Sequence, residues 1–164
     1  MNKKQKRGWY LDDYKMGQKF VSPTRVVTET DIVNYGCLGG DFYPLHFDED
    51  YAKGEGFRTR IFHGLGTLCL GGGFAYYALP LDCRIIGHLG GEYRLTAPVY
   101  PQDAIYAEFE VVEARPSKTK PDRGILGFKT IFKNQQDQVV CEWTFRFMYH
   151  RKPRKKTSVS RTRK

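Results

Sequence analysis

Between Val139 and Tyr149 every second residue is apolar: Val139, Cys141, Trp143, Phe145, Phe147 and Tyr149, with Glu142, Thr144 and Arg146 on the other face. A period of two predicts a half-buried strand. Ala104 to Ala114 and Ile125 to Lys133 read as further strands, and Arg84 to Val99 is β-rich with a glycine break. Pro116 to Gly124 reads as a turn or loop, and Asn134 to Gln138 as a hairpin connection. Nearer the N-terminus, Lys19 to Val27 is extended, with Pro23 limiting its pairing. The pattern then changes to a helical period. Thr28 caps a short helix with Asp31 three residues on, Ile32, Val33, Tyr35 and Leu38 are expected to face inward, and Gly39 and Gly40 end it. Asp48 to Lys53 suggests one or two helical turns. From His63 to Leu79 polar residues are nearly absent; Leu65, Leu68, Cys69, Gly72, Ala75, Tyr76 and Leu79 follow helical spacing up to Pro80. A helix apolar all round is expected to be buried. Glycines 71, 72 and 73 weaken helix propensity but admit a close neighbour. One long apolar helix with several antiparallel strands predicts an α+β fold.

The 164 residues fit one domain without internal repeats. Charge divides the chain further. Lys3, Lys4, Lys6 and Arg7 precede Gly8, and the last fourteen residues hold eight Lys or Arg, with no acid at either end. Removing these 12 from 27 basic residues leaves 15 against 18 acids, so residues 9–150 carry a net charge of −3. A basic tail over residues 1–8, a single domain over 9–150 and a second basic tail over 151–164 are therefore expected, both tails solvated. The acidic body and the absence of aromatic residues among the C-terminal charges argue against nucleic acid as a partner. No apolar run approaches the roughly 18–20 residues of a spanning helix, and the start lacks the apolar stretch of a secretory signal, so a cytoplasmic protein with no membrane partner is expected. Cys37, Cys69, Cys83 and Cys141 have neither C-x-x-C nor zinc spacing and are expected to be free thiols.

Candidate chemistry lies in the stretch GGDFYPLHFDEDYA, Gly39 to Ala52. Asp41 and His46 are five residues apart, with Pro44 stiffening the span between them. A carboxylate and an imidazole held on a stiff loop can share a water and move its protons. On spacing alone, an Asp41 that caps the next turn and a His46 in a structural hydrogen bond explain the pattern as well. His63–Gly64 stands where the apolar helix begins. There, unpaired N–H groups and the helix dipole can receive an oxyanion, and Gly64 lets a carbonyl approach without a Cβ in the way. A plain glycine-rich turn is the alternative. His88 and His150 read as structural, and Tyr76, Tyr77 and Trp143 as core or interface.

G-D-x-x-P-L-H at 40–46, D-E-D-Y-A at 48–52 and F-H-G-L-G at 62–66 together resemble the MaoC-like, or R-specific, enoyl-CoA hydratase family, as does G-G-E-Y-R-L-T-A-P-V-Y-P-Q-D at 90–103. The likeness runs from about Trp9 to Lys152. It implies a hot-dog fold, an antiparallel sheet wrapped around the long helix, in a homodimer or larger homo-oligomer with sites near the dimer interface. It also implies reversible addition of water to a trans-2-enoyl-CoA, giving a 3-hydroxyacyl-CoA. Asp41 and His46 fall on the family's catalytic positions, and Gly64 on the position whose N–H meets the thioester oxygen. No metal and no cofactor is implied beyond the coenzyme A of the substrate. Tyr43 replaces an asparagine common before the proline, and Gly72 stands where some members carry serine facing the site. Both depart from the pattern and put straight-chain substrates in doubt. Tyr43, His63, Gly72, Arg58 and Arg60 complete the candidate substrate pocket. The two arginines would meet phosphates or a substrate carboxylate, unless they are solvated loop charge. A hot-dog thioesterase and a non-catalytic acyl-thioester-binding module are the alternatives to a hydro-lyase.

Overall fold

A computed structural model describes residues 8–81 and 83–153. The basic residues expected in tails at 1–7 and 154–164 lie outside the described residues. Strands β1 (Lys19–Val21), β2 (Arg25–Val26), β3 (Ile85–Leu95), β4 (Ala104–Pro116), β5 (Arg123–Lys133) and β6 (Val139–His150) form one antiparallel sheet in the order β1-β4-β5-β6-β3, with β2 also pairing β4. The helices are α1 (Glu29–Gly39), α2 (Pro44–Phe47), α3 (Glu49–Gly54) and α4 (Gly64–Ala78), and a 3-10 turn spans Leu11–Asp13.

Alternation decides which face of the sheet is inside. Ile105, Ala107, Phe109 and Val111 of β4 are buried, as are Leu126, Phe128 and Phe132 of β5 and Cys141, Phe145, Phe147 and Tyr149 of β6. These residues join one core with Phe74, Ala75 and Leu79 from the α4 side. A long helix packed on an antiparallel sheet is the α+β hot-dog arrangement. Gly71 shows how close the packing is: a Cβ there would stand 2.9 Å from both Phe132 Cζ and Trp143 Cζ3. Gly72 and Gly73 face open space instead. Ser22 to Thr24, with Pro23 at their centre, separate β1 from β2.

Two expectations about burial need correction. Helix α4 is covered on one side only. Gly66, Thr67, Gly71, Phe74 and Ala75 are buried, while Leu65, Tyr76 and Tyr77 are 52 %, 75 % and 74 % exposed. Tyr76 and Tyr77 are therefore not core. In α1, Ile32 and Gly36 are buried and Tyr35 partly so, but Val33 is exposed and Leu38 is 86 % exposed. One sheet shields one face of a helix; apolar residues on the opposite face need a cover that the described residues do not supply. Strand β3 has the same character. It is the sheet's edge beyond β6, and Ile85, Ile86, Leu89, Tyr93 and Leu95 are all exposed.

The four cysteines are free, three of them exposed. Among the described residues no helix is long and apolar enough to cross a membrane. Arg151 and Lys152, counted with the C-terminal tail by charge, are tied to the body: the Arg151 guanidinium pairs with Asp12 at 2.6 Å, and the Lys152 ammonium pairs with Asp13.

Candidate active site

Local sequence places Asp41 at the mouth of a turn. The Thr28 hydroxyl accepts from the Asp31 N–H (3.3 Å) and the Asp31 carboxylate accepts from the Thr28 N–H (2.8 Å), which starts α1 as a capping box. The helix stops at Gly40, whose φ of +70° suits glycine. Asp41 follows at once. Gly36 lets the next segment fold back on α1: a Cβ there would lie 2.5 Å from Phe47 Cζ and 3.2 Å from the Asp41 carbonyl oxygen. Pro44 opens the one-turn helix α2, where its fixed φ and missing N–H cost nothing, and α2 carries His46. The Asp48 side chain then caps α3 by accepting from the Tyr51 N–H (3.0 Å). After α3 the chain returns beside α2, with the Ile61 N–H donating to the Leu45 carbonyl (3.3 Å) and the Phe62 N–H to the Val99 carbonyl (2.7 Å). That return delivers His63 as the residue before α4.

These turns bring three side chains together. A carboxylate oxygen of Asp41 and one ring nitrogen each of His46 and His63 lie within 4.8 Å of one another. A water bound at about 2.8 Å to two acceptors, with a tetrahedral angle between them, spans roughly 4.6 Å, so the spacing suits a shared water. His46 Nδ1 lies 2.8 Å from the Ile61 carbonyl oxygen. A carbonyl only accepts, so Nδ1 carries the proton and Nε2 is left with the lone pair. Burial holds the His46 pKa below its ordinary value, helped by His63 and opposed by the Ile61 hydrogen bond and the Asp41 charge. The ring is thus a neutral base at neutral pH. Asp41 is exposed, and its Oδ1 receives a long hydrogen bond from the Tyr43 N–H (3.4 Å).

A carboxylate and two imidazoles are also a donor set for a metal ion. Here the two imidazoles stack, with ring centroids 3.8 Å apart and an interplanar angle of 27°. Nitrogen lone pairs lie in the ring plane, so stacked rings do not aim them at one centre. The arrangement fits a hydrogen-bonded water better than a chelated ion.

Gly64 is the first residue of α4, and its N–H takes no backbone acceptor among the described residues. A Cβ at this position would stand 2.3 Å from Leu95 Cδ1. Gly64 and Leu95 line a cavity of about 310 Å³ whose other walls include Phe57, Ile61, Phe62 and Val99. An apolar cleft with a free helix N-terminal donor on its wall can take a thioester carbonyl and part of an acyl or pantetheine chain.

The remaining sequence candidates are less closely grouped. Tyr43 is exposed and its hydroxyl lies 2.9 Å from that of Tyr51. Arg58 pairs with Asp103 (3.1 Å) and lies 4.0 Å over the Tyr100 ring, and Arg60 pairs with Glu29 (2.5 Å). Both arginines are engaged within the chain rather than left as free anion receptors. Gly72 is on the exposed side of α4 with open space around it. Sequence reasoning missed the Ile61 carbonyl, because a backbone acceptor leaves no signal in residue type. It also missed Leu95, which only the placement of β3 brings to Gly64.

The MaoC like domain family model matches residues 13–134. Protein MaoC of Klebsiella aerogenes is 33 % identical over 100 residues, 58 % of this chain but only 28 % of that protein. An (R)-specific enoyl-CoA hydratase of Rhodospirillum rubrum is 33 % identical over 113 residues, 66 % of this chain and 74 % of the relative. Among solved structures, a MaoC-like dehydratase from Rhodospirillum rubrum superposes with a TM-score of 0.80 at 30 % identity, covering 89 % of this chain and 99 % of that one.

Proposed function

The chain belongs to the MaoC-like domain family, and from that premise we propose that it is an acyl-CoA hydro-lyase, adding water reversibly to a trans-2-enoyl-CoA to give an R-3-hydroxyacyl-CoA. The observation that carries the reading is the convergence of the Asp41 carboxylate and the His46 ring within 4.8 Å, next in the chain fold to the α4 N-terminus. The thioester oxygen accepts from the Gly64 N–H. A water donates one hydrogen bond to Asp41 and the other to His46 Nε2, which turns its remaining lone pairs toward C3. As oxygen bonds to C3, the C2=C3 electrons move toward the thioester and form an enolate, stabilised by the Gly64 donor and the helix dipole; a single donor of this kind is worth about 10²- to 10³-fold. One of the two acceptors takes a proton from the water, and the Asp41–His46 pair returns a proton to C2, which completes the addition and leaves the pair in its starting protonation state. Residues of the acid–base type contribute roughly 10²- to 10⁴-fold each. The steps need no metal and no redox cofactor.

A second copy of this chain is the proposed cover for β3 and for the open face of α4. An edge strand with apolar residues on both faces is a pairing surface, and Leu65, Tyr76 and Tyr77 lie on the exposed side of α4.

A panel of enoyl-CoA thioesters tests the reading, following loss of the conjugated double bond and release of free thiol in parallel. Double-bond loss that disappears in Asp41→Asn and His46→Ala supports a hydro-lyase. Thiol release without it supports a thioesterase, and tight binding with neither reaction supports a binding module.

A further inference from the structure

We propose that His63 is a positioning residue that fixes the Asp41 main chain and the His46 ring relative to each other, an inference that rests on the hydro-lyase reading above. His63 is 1 % exposed, the most buried of the three clustered side chains. Its Nε2 lies 3.0 Å from the Asp41 carbonyl oxygen, so Nε2–H donates and ties α4's first turn to the loop that carries the carboxylate. Its ring stacks on His46 at 3.8 Å. The other side of that imidazole is restrained by the Nδ1 bond to Ile61. His46 is thereby held by an in-plane hydrogen bond and a face-to-face contact, which leave Nε2 a single direction.

Space filling does not explain a histidine here. Tyr35, Phe47 and Phe62 surround the ring with centroids at 4.7, 6.0 and 6.1 Å, a pocket that suits phenylalanine. His63 Nδ1 is buried with no hydrogen-bond partner, a cost that phenylalanine would not carry. What histidine adds is the Nε2 donor to Asp41 and a polar face against His46. Burial opposes protonation of His46, and the stacked His63 adds to that opposition. The groups acting on His46 are His63, the Asp41 carboxylate and the Ile61 carbonyl.

The test compares His63→Phe, which keeps the ring and removes the donor, with His63→Gln, which keeps a donor at similar reach and removes the ring. His63→Phe is expected to melt no lower than wild type and to lose about 10- to 100-fold in kcat, the cost of misplacing catalytic groups by roughly 1 Å, with KM little changed. Its His46 titration, read by NMR on the imidazole carbons, is expected to move to higher pH, and the acid limb of kcat/KM with it. His63→Gln is expected to recover part of the kcat. A His63→Phe enzyme with wild-type kcat overturns the proposal. So does a loss shared equally by both variants with the His46 midpoint unmoved. Because that midpoint needs no turnover, it separates the two claims: a wild-type protein that hydrates nothing refutes the hydro-lyase, while the titration shift still decides the role of His63.

Discussion

Replacing Gly64 with alanine puts the proposed oxyanion donor under direct strain. The new Cβ would arrive 2.3 Å from Leu95 Cδ1, whereas carbon atoms rest at about 3.5–4.0 Å. Leu95 must therefore retreat by roughly 1.2–1.7 Å to reach ordinary contact. Its side chain is half-exposed on the edge strand β3, so it can swing outward. Overpacking commonly costs about 1–3 kcal/mol, and alanine in place of glycine in a helix returns about 0.5–1 kcal/mol. The net effect on stability lies between about zero and a loss of about 2.5 kcal/mol, a melting shift of at most roughly 10 °C. Activity is expected to suffer more. The added methyl and the displaced leucine change the cleft wall beside the Gly64 N–H, and blocking a donor of this kind costs about 10²- to 10³-fold in kcat, or about 2.7–4 kcal/mol. The assay is enoyl-CoA hydration with a thermal melt on the same sample. The double variant Gly64→Ala, Leu95→Ala separates the two effects, because it removes the clash and keeps the methyl in front of the donor. Hydration by Gly64→Ala within about 3-fold of wild type, against the expected loss, would refute the assignment of Gly64 N–H to the thioester oxygen.

Asp41→Asn should lower kcat by about 10²- to 10⁴-fold while leaving the melting temperature nearly unchanged, since Asp41 is exposed and among the described residues its side chain holds only one long hydrogen bond. The rate should be flat above pH 6.5 and fall on acidification, because the fold keeps the His46 pKa below 6.5 and protonation removes its acceptor. Stability follows the same sign: the unfolded chain binds that proton first, so the contribution of neutral His46 is present above pH 6.5 and is lost as pH falls through the lower folded value. Gly91→Ala should destabilise severely, because its Cβ would meet the Thr144 carbonyl oxygen, a backbone atom of the paired strand, at 2.2 Å; a chemical-denaturation midpoint equal to wild type would contradict this. Leu89→Lys on the edge of β3 should shift sedimentation toward a single copy, and an unchanged sedimentation coefficient would remove that strand from the subunit contact.

What could be read from the sequence divides along the reach of the interactions. The α1 cap is an interaction between Thr28 and Asp31, three residues apart, and local chemistry predicts it. Strand β6 announces itself by alternating residue type, and β4 buries every second residue from Ile105 to Val111, whereas β5 buries Gly124 to Phe128 without a break and carries no such period there. Asp41, His46 and Gly64 are singled out by the resemblance of their motifs to the family; spacing alone leaves a capping aspartate, a structural histidine and a plain glycine turn as alternatives. The exposures of Leu38, Tyr76 and Tyr77 were illegible, since hydrophobicity says that a side chain prefers cover but not whether its own chain supplies it. The arginines were equally opaque. Arg58 finds Asp103 45 residues away and Arg60 finds Glu29 31 residues away, pairings set by the folded path and not by local pattern. The partners of His63 belong to both classes: its place at the head of α4 is legible, its bond to the Asp41 carbonyl is not.

The most direct test is the fate of solvent oxygen. In ¹⁸O-labelled water with a trans-2-enoyl-CoA, a water activated by Asp41 and His46 places one labelled oxygen on C3 of an intact 3-hydroxyacyl thioester, and no free thiol appears. Label in a released carboxylate together with free coenzyme A, or an unlabelled thioester after full incubation, would contradict the account.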